Sequence, residues 1–123
     1  KPPHFMGSKA VVSHSMVTGG CEVYGEVENS VLFHSVRVEE GARVKYSILM
    51  PGSVVKAGAV VEYAIVAENA VIGEGARVGA PPEADKPEEW GIAVVAEGIK
   101  VGDGARVPAK SMVTRNVKSG GVR

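Results

Sequence analysis

A repeat of seventeen residues is the feature that most constrains this chain. Three consecutive stretches align without a gap: NSVLFHSVRVEEGARVK (29–45), YSILMPGSVVKAGAVVE (46–62) and YAIVAENAVIGEGARVG (63–79). Within and between them, aliphatic residues fall six, six and then five positions apart: Leu32, Val38, Val44; Leu49, Val55, Val61; Val66, Ile72, Val78. After an interruption the register returns in residues 91–108 with Val95, Val101 and Val107. All twelve anchors are Leu, Ile or Val, although these three types supply only 30 of the 123 residues, so the repeat is not an accident of composition.

A period of six fits neither the 3.6 of a helix nor the alternation of a long strand. It fits a short strand and a corner, with three such sides closing one triangular coil. Four residues after most anchors comes a small side chain: Ala42, Ser53, Ala59, Ala70, Ala76 and Ala105, with Val36 and Ile99 as exceptions. Small residues suit positions where the chain bends toward a crowded axis. The five-residue side follows the same rule through Ser30, Ser47, Ala64 and Ala93. Gly41, Gly58, Gly75 and Gly104 recur just before the small residue, where a corner demands torsions that glycine accepts. Valine supplies 23 residues and aromatics only 5%, as expected for many short strands rather than a helical core.

The pattern predicts an all-β chain folded as a parallel β-helix, a hexapeptide-repeat prism of five to six coils of about 17 residues. The period does not fix the hand; the resemblance to known hexapeptide prisms implies a left-handed one, against the usual hand of parallel crossovers. Residues 1–11 read as a lead-in or linker, 12–118 as the β-helix and 119–123 as a tail. A shorter first coil is anchored on Val17, Val23 and Val27. Residues 80–91, APPEADKPEEWG, carry three prolines, four acidic residues and the only tryptophan. Prolines cannot continue a strand, so this segment is a loop inserted at one corner. Such a loop either carries function or folds Trp90 back over apolar surface.

Fourteen Lys and Arg balance fourteen Asp and Glu. Neutrality argues against nucleic acid or an anionic membrane as the main partner. No stretch reaches eighteen apolar residues, the opening Lys1-Pro2-Pro3-His4 does not read as a signal peptide, and the single Cys21 cannot form an internal disulfide. These features suit a cytoplasmic protein. Cys21 occupies the repeat position of Val36 and reads as a buried, inert side chain.

The run from Cys21 to Leu32, CEVYGEVENSVL, followed by VKYSILMPG (44–52) and YAIVAENAVIGEGARVG (63–79), resembles the carboxyl-terminal β-helix of bacterial ADP-glucose pyrophosphorylase, glucose-1-phosphate adenylyltransferase. The opening KPPHFMGSKAVVSHSMV is similar to the linker and first coil of that domain. The resemblance implies a parent that makes ADP-glucose from ATP and glucose 1-phosphate for glycogen synthesis. It implies that Mg and ATP belong to an amino-terminal catalytic nucleotidyltransferase domain of the same polypeptide. The β-helix would then serve oligomerisation and allosteric control, in a homo-oligomer, and this chain alone would be inactive. In some relatives arginines follow a GIVLV-like stretch. Here Gly91-Ile92-Ala93-Val94-Val95 leads into Ala96 and Glu97, so no effector residue carries over from that motif. Gly73-Glu74-Gly75 and Gly102-Asp103-Gly104 sit at repeat corners with no helix after them, unlike phosphate loops.

Other chemistries use the same prism. A stand-alone hexapeptide-repeat acyltransferase would need a general base, for which His14 and His34 are the candidates. A zinc hydratase would need three converging histidines, and His4, His14 and His34 number three. However, His14 and His34 are 20 apart rather than 17. Two surface features complete the expectation. Arg43, Arg77 and Arg106 share one repeat position and form a candidate effector or anion contact, unless Glu40, Glu74 and Asp103 pair with them in a surface ladder. Val31, Ile48, Ile65 and Val94 each precede an inward anchor and must point outward. They form a predicted apolar interface, unless the tail 112–122 covers it. No catalytic, cofactor-binding or metal residue is assigned within the chain.

Overall fold

The computed structural model describes residues 5–122; residues 1–4, with His4, and Arg123 lie outside the described part. The repeat winds into a left-handed parallel β-solenoid of six turns with three flat faces. Face A stacks Phe5–Met6, Glu22–Val23, Arg37–Val38, Val54–Val55, Val71–Ile72 and Lys100–Val101. Face B stacks Val11–Ser13, Glu26–Glu28, Arg43–Lys45, Val60–Glu62, Arg77–Val78 and Arg106–Val107. Face C stacks Met16–Val17, Val31–Leu32, Ile48–Leu49, Ala64–Val66, Ala93–Val95 and Met112–Val113.

Each strand has only two or three residues, because one must point in, its neighbour out, and the corner follows at once. All twelve anchors are buried, as are the small corner residues Ala42, Ser53, Ala59, Ala70, Ala76 and Ala105. The exceptional Val36 is equally buried, whereas Ile99 packs against the core only in part. The sequence spacing therefore sets the register: Val55 lies over Val38 and under Ile72, seventeen residues away on either side.

The first coil is short for a local reason. Between Val23 and Glu26 the corner has lost two residues relative to Val38–Arg43, and it turns on Gly25. A Cβ on Gly25 would collide with the carbonyl oxygens of Ala42 and Glu39, so glycine is obligatory there.

Strands extend beyond the limits expected at residues 12 and 118. Phe5–Met6 already pairs with Glu22–Val23, and Val11 with Glu26, so much of the expected lead-in belongs to the first coil. At the other end, Val117 bridges Val101 and Val122 bridges Arg106, so the expected tail continues the winding. The loop 80–91 contains only a single 3-10 turn, Pro87–Glu89. Stacking resumes beyond it with Ala93 over Ala64 and Val94 over Ile65, so the insertion leaves the prism unbroken.

The corner between faces B and C holds a polar ladder. Ser30 Oγ donates to Glu28 O at 2.7 Å and accepts the Ser47 N–H at 3.0 Å. Ser47 Oγ likewise donates to Lys45 O at 2.9 Å and accepts the Ala64 N–H at 3.2 Å. Ser15 begins the series by accepting the Ser30 N–H at 3.0 Å. Each buried hydroxyl thus satisfies an amide of the next coil where the strand ladder has to turn.

Two outcomes test this account. Val55→Asp places an unpaired carboxylate on the apolar axis and should abolish cooperative thermal melting. Ser47→Ala strands the buried Ala64 amide and should cost about 1–3 kcal/mol in a denaturant titration, with the β circular dichroism signal retained.

Candidate functional site

The interior is filled by aliphatic side chains, so chemistry must come from what the three faces and their corners present outward. Face A carries Glu22, Arg37, Val54, Val71 and Lys100 in register. Arg37 bridges Glu22 at 2.7 Å and Glu39 at 3.3 Å. Its guanidinium also lies 5.3 Å from the ring centre of Tyr24. The Tyr24 hydroxyl donates to Glu22 Oε1 at 3.0 Å, and that hydrogen bond to a carboxylate holds the phenol pKa above its ordinary value. This half-buried cluster sets two carboxylates against one guanidinium, so its charges are paired within it and leave one net negative charge.

Face C is different. Its outward residues are Met16, Val31, Ile48, Ile65, Val94 and Met112, one per coil and in direct register. The sequence predicts the central four; the structure adds a methionine at each end. The alternative in which the tail covers this strip does not hold, because Met112–Val113 pairs with Val94–Val95 and adds a rung to the strip. Ile48 is 37% exposed and Met112 63%.

Along one border of the strip runs the corner occupied by His14, Asn29, Tyr46 and Tyr63. All four have φ between 47° and 50°, a left-handed conformation that bulky residues rarely adopt. The geometry is enforced by the ladder: the Tyr63 N–H reaches Lys45 O at 3.0 Å and the Tyr46 N–H reaches Glu28 O at 3.0 Å. Seventeen-residue spacing then stacks the Tyr46 and Tyr63 rings at 4.7 Å and 8°. Trp90 meets Tyr63 edge-on at 5.6 Å, and its indole N–H donates to Ala80 O at 2.7 Å. The loop thus folds Trp90 back against the prism. Sequence reasoning missed this aromatic column, although Tyr46 and Tyr63 occupy equivalent positions of the seventeen-residue repeat.

The arginines divide. Arg77 and Arg106 are direct neighbours on face B, but Val60 separates Arg43 from Arg77. Arg43 pairs with Glu26 at 3.8 Å and Arg77 with Glu62 at 3.7 Å. The ladder expected with Glu40, Glu74 and Asp103 does not form: Glu40 pairs with Lys9 at 3.4 Å, and Asp103 Oδ1 accepts the Glu74 N–H at 2.8 Å. Arg77 and Arg106 line a cleft of about 410 Å³, walled on its far side by the loop residues Ala80, Pro81, Glu83 and Glu89.

The histidines do not converge. His14 lies on the corner between faces B and C, whereas His34 is exposed on the corner between faces C and A. Among the described residues no group of three or more His, Cys, Asp or Glu is arranged to hold a metal ion. Cys21 is buried, with Sγ 3.0 Å from Phe33 O. No helix among the described residues is long and apolar enough to cross a membrane.

Trp90 is the only tryptophan and reports on the loop directly. Tyr63→Ala removes both aromatic contacts and should cost about 1 kcal/mol. Its signature should be a red shift of Trp90 fluorescence at temperatures where the prism remains folded.

The comparisons with known proteins agree with this architecture. The family described as GlmU-like, C-terminal hexapeptide, matches residues 3–101. Glucose-1-phosphate adenylyltransferases of Bacillus thuringiensis (strain Al Hakam) and Bacillus anthracis are 46% identical over 52 residues, 42% of this chain. That segment is only 14% of their length, so each is roughly three times as long as this chain. Among solved structures, a point mutant of perosamine N-acetyltransferase from Caulobacter crescentus, in complex with CoA and GDP-perosamine, superposes with a TM-score of 0.66 at 15% identity. The alignment covers 98% of this chain and 50% of that one. At that identity the likeness establishes the prism fold and nothing finer. The repeat, the six-turn prism and the match over residues 3–101 place the chain in the GlmU-like C-terminal hexapeptide family, with sequence ties to the hexapeptide region of bacterial glucose-1-phosphate adenylyltransferases.

Proposed function

We propose that this prism is the C-terminal β-helix module of a glucose-1-phosphate adenylyltransferase, which makes ADP-glucose from ATP and glucose 1-phosphate. The observation that carries this reading is the 46% identity to such enzymes over 52 residues, against 15% to the solved acetyltransferase. On this reading Mg and ATP belong to a catalytic nucleotidyltransferase domain of the same polypeptide, and the module serves oligomerisation and control. The larger size of the relatives leaves ample chain for such a domain. Face C is its docking surface: the strip Val31, Ile48, Ile65 and Val94, extended by Met16 and Met112, is contiguous apolar surface of the kind that marks a contact. The neighbouring Tyr46, Tyr63 and Trp90 belong to residue types that dominate interface energetics.

The solved structures favour a second reading, a stand-alone hexapeptide-repeat acyltransferase-like protein. Its support is the shared prism, which in perosamine N-acetyltransferase is complexed with CoA. The candidate base would be His14, which borders an open depression with Ser15, Asn29 and Ser30, or the exposed His34. One assay pair separates the readings. The adenylyltransferase reading expects neither ADP-glucose formation nor acetyl-CoA consumption by the purified chain, because on that reading the residues that hold magnesium triphosphate in line with a nucleophile belong to the catalytic domain. Sustained acetyl-CoA turnover lost on His14→Ala or His34→Ala would establish the second reading instead.

Docking has its own test. Ile48→Lys with Ile65→Lys should weaken association with the catalytic domain, or self-association, at least tenfold in sedimentation or titration. The β-helix should keep its circular dichroism spectrum, since both side chains point outward. Unchanged association in the double variant would remove face C from the interface.

A further inference from the structure

We propose that face C docks onto face C of a second copy of this chain, about a two-fold axis parallel to the prism, each Phe33 inserting between His14 and Tyr46 of its partner. The inference rests on reading face C as a docking surface. It goes beyond that reading by naming the occupant and the side chain that sets its orientation.

Face C and its two borders carry no formal charge over four consecutive rungs. These read HSMVT (14–18), NSVLF (29–33), YSILM (46–50) and YAIVA (63–67). They hold no Lys, Arg, Asp or Glu, although such residues make up 23% of the chain. Depletion of charge is what distinguishes the core of an interface from solvated surface.

One border has a gap. His14, Asn29, Tyr46 and Tyr63 occupy equivalent corners in one backbone conformation, and the Tyr46 and Tyr63 rings stack at 4.7 Å. Asn29 is too short to continue that column down to the His14 ring. A depression of about 540 Å³ opens there, lined by His14, Ser15, Met16, Asn29, Ser30 and Val31, with ample room for a phenyl ring. Tyr46 stays 50% exposed. The opposite border of the same rung holds a matching knob. Phe33 follows the inward Leu32, turns outward and is 38% exposed.

Symmetry decides what the knob meets. A two-fold axis along the prism keeps the rungs level and exchanges the two borders, so each border faces the other border of the partner. Asn29 then faces Phe33, Tyr46 faces Met50 and Tyr63 faces Ala67. These are gap against knob, ring against thioether and large against small. An axis across the prism, centred on the six rungs, would instead set Tyr46 against Tyr63 and Phe33 against Ala96, leaving the gap unfilled. The loop 80–91 walls a cleft over Glu62, Arg77 and Arg106 of face B, so it leaves face C open. Six rungs at ~4.8 Å and a width of four residues at ~3.3 Å give a footprint of roughly 24 by 13 Å. That is small against the ~800 Å² per partner of a standard interface, so the dimer is weak and reversible.

Sedimentation equilibrium of the 123-residue chain, from micromolar to millimolar concentration, tests the assignment. The unaltered chain should show a reversible monomer–dimer equilibrium. Phe33→Ala should weaken it at least tenfold by removing the knob. Asn29→Tyr should weaken it as much, because the chain's own ring fills the gap; on a merely apolar patch the added ring would tighten association. Mixing the two variants should restore the dimer. Phe33 of the Asn29→Tyr chain meets the intact gap of the Phe33→Ala chain, and the added ring meets the truncated position. Unchanged melting temperatures at micromolar concentration would confirm that both variants fold. A chain that stays monomeric throughout overturns the proposal, as does a mixture that associates no more tightly than either variant alone. Dimerisation lost in Ile48→Lys with Ile65→Lys, but kept in Phe33→Ala and Asn29→Tyr, overturns it too while leaving face C as a docking surface. Docking of the catalytic domain is measured separately, by titration with that domain.

Discussion

Every feature of this molecule depends on coils hydrogen-bonding to their neighbours in one register. A strand of two residues has no stability of its own, and a single coil cannot bury the side chains it turns inward. The Lys56 N–H finds Ile72 O at 2.9 Å and the Val54 N–H finds Ala70 O at 2.9 Å, one coil away each time. Because equivalent residues stack directly, the axis becomes columns of mostly valine, leucine, isoleucine and alanine. The register also has to survive the corners. At the edge between faces B and C this is done by Ser15, Ser30 and Ser47, whose hydroxyls take the place of ladder partners.

With the interior committed to packing, the outer positions are free to differ, and the three faces have diverged. Face A joins the Glu22–Arg37–Glu39 ion pairs to the aliphatic Val54 and Val71, face B carries Arg43, Arg77 and Arg106 around Val60, and face C is an apolar strip. Direct stacking amplifies each choice, because one residue type repeated at a seventeen-residue interval becomes a continuous stripe. The same arithmetic turns Tyr46 and Tyr63 into a stacked pair and gives Trp90 a surface to close on.

The scaffold does not name its chemistry. The prism is shared with a solved acetyltransferase in complex with CoA at only 15% identity, while the matching sequences belong to glucose-1-phosphate adenylyltransferases. Function on such a frame comes from the residues at the corners and from the loops grafted there. In this chain the candidates are the aromatic corner, the apolar face beside it and the cleft under the loop 80–91. The loop is the one large departure from periodicity, and it can be accommodated because Ala93 returns to its place over Ala64.

The sequence by itself determined the coil period, most of the interior and the outward strip, while the hand of the winding came from the family resemblance. Spacings of six, six and five identify the twelve anchors of the four regular coils, and alternation along a strand then assigns Val31, Ile48, Ile65 and Val94 to the outside. Periodicity is a property of the chain, so no tertiary knowledge was needed. Its limits appear where periodicity weakens: Phe5–Met6 and Val122 join the ladder although their neighbours carry no clear repeat. The repeat also places Arg77 beside Arg106 and Val60 between Arg43 and Arg77. Only the tertiary structure decided the ion pairs: that Glu40 and Asp103 turn to other partners depends on side-chain reach across coils. The cleft exists because a loop of no regular period folds back over face B, and the direction of that fold is set by Gly79 and by Trp90 closing on Tyr63. Those contacts join residues far apart in the chain through shape, which no spacing rule records.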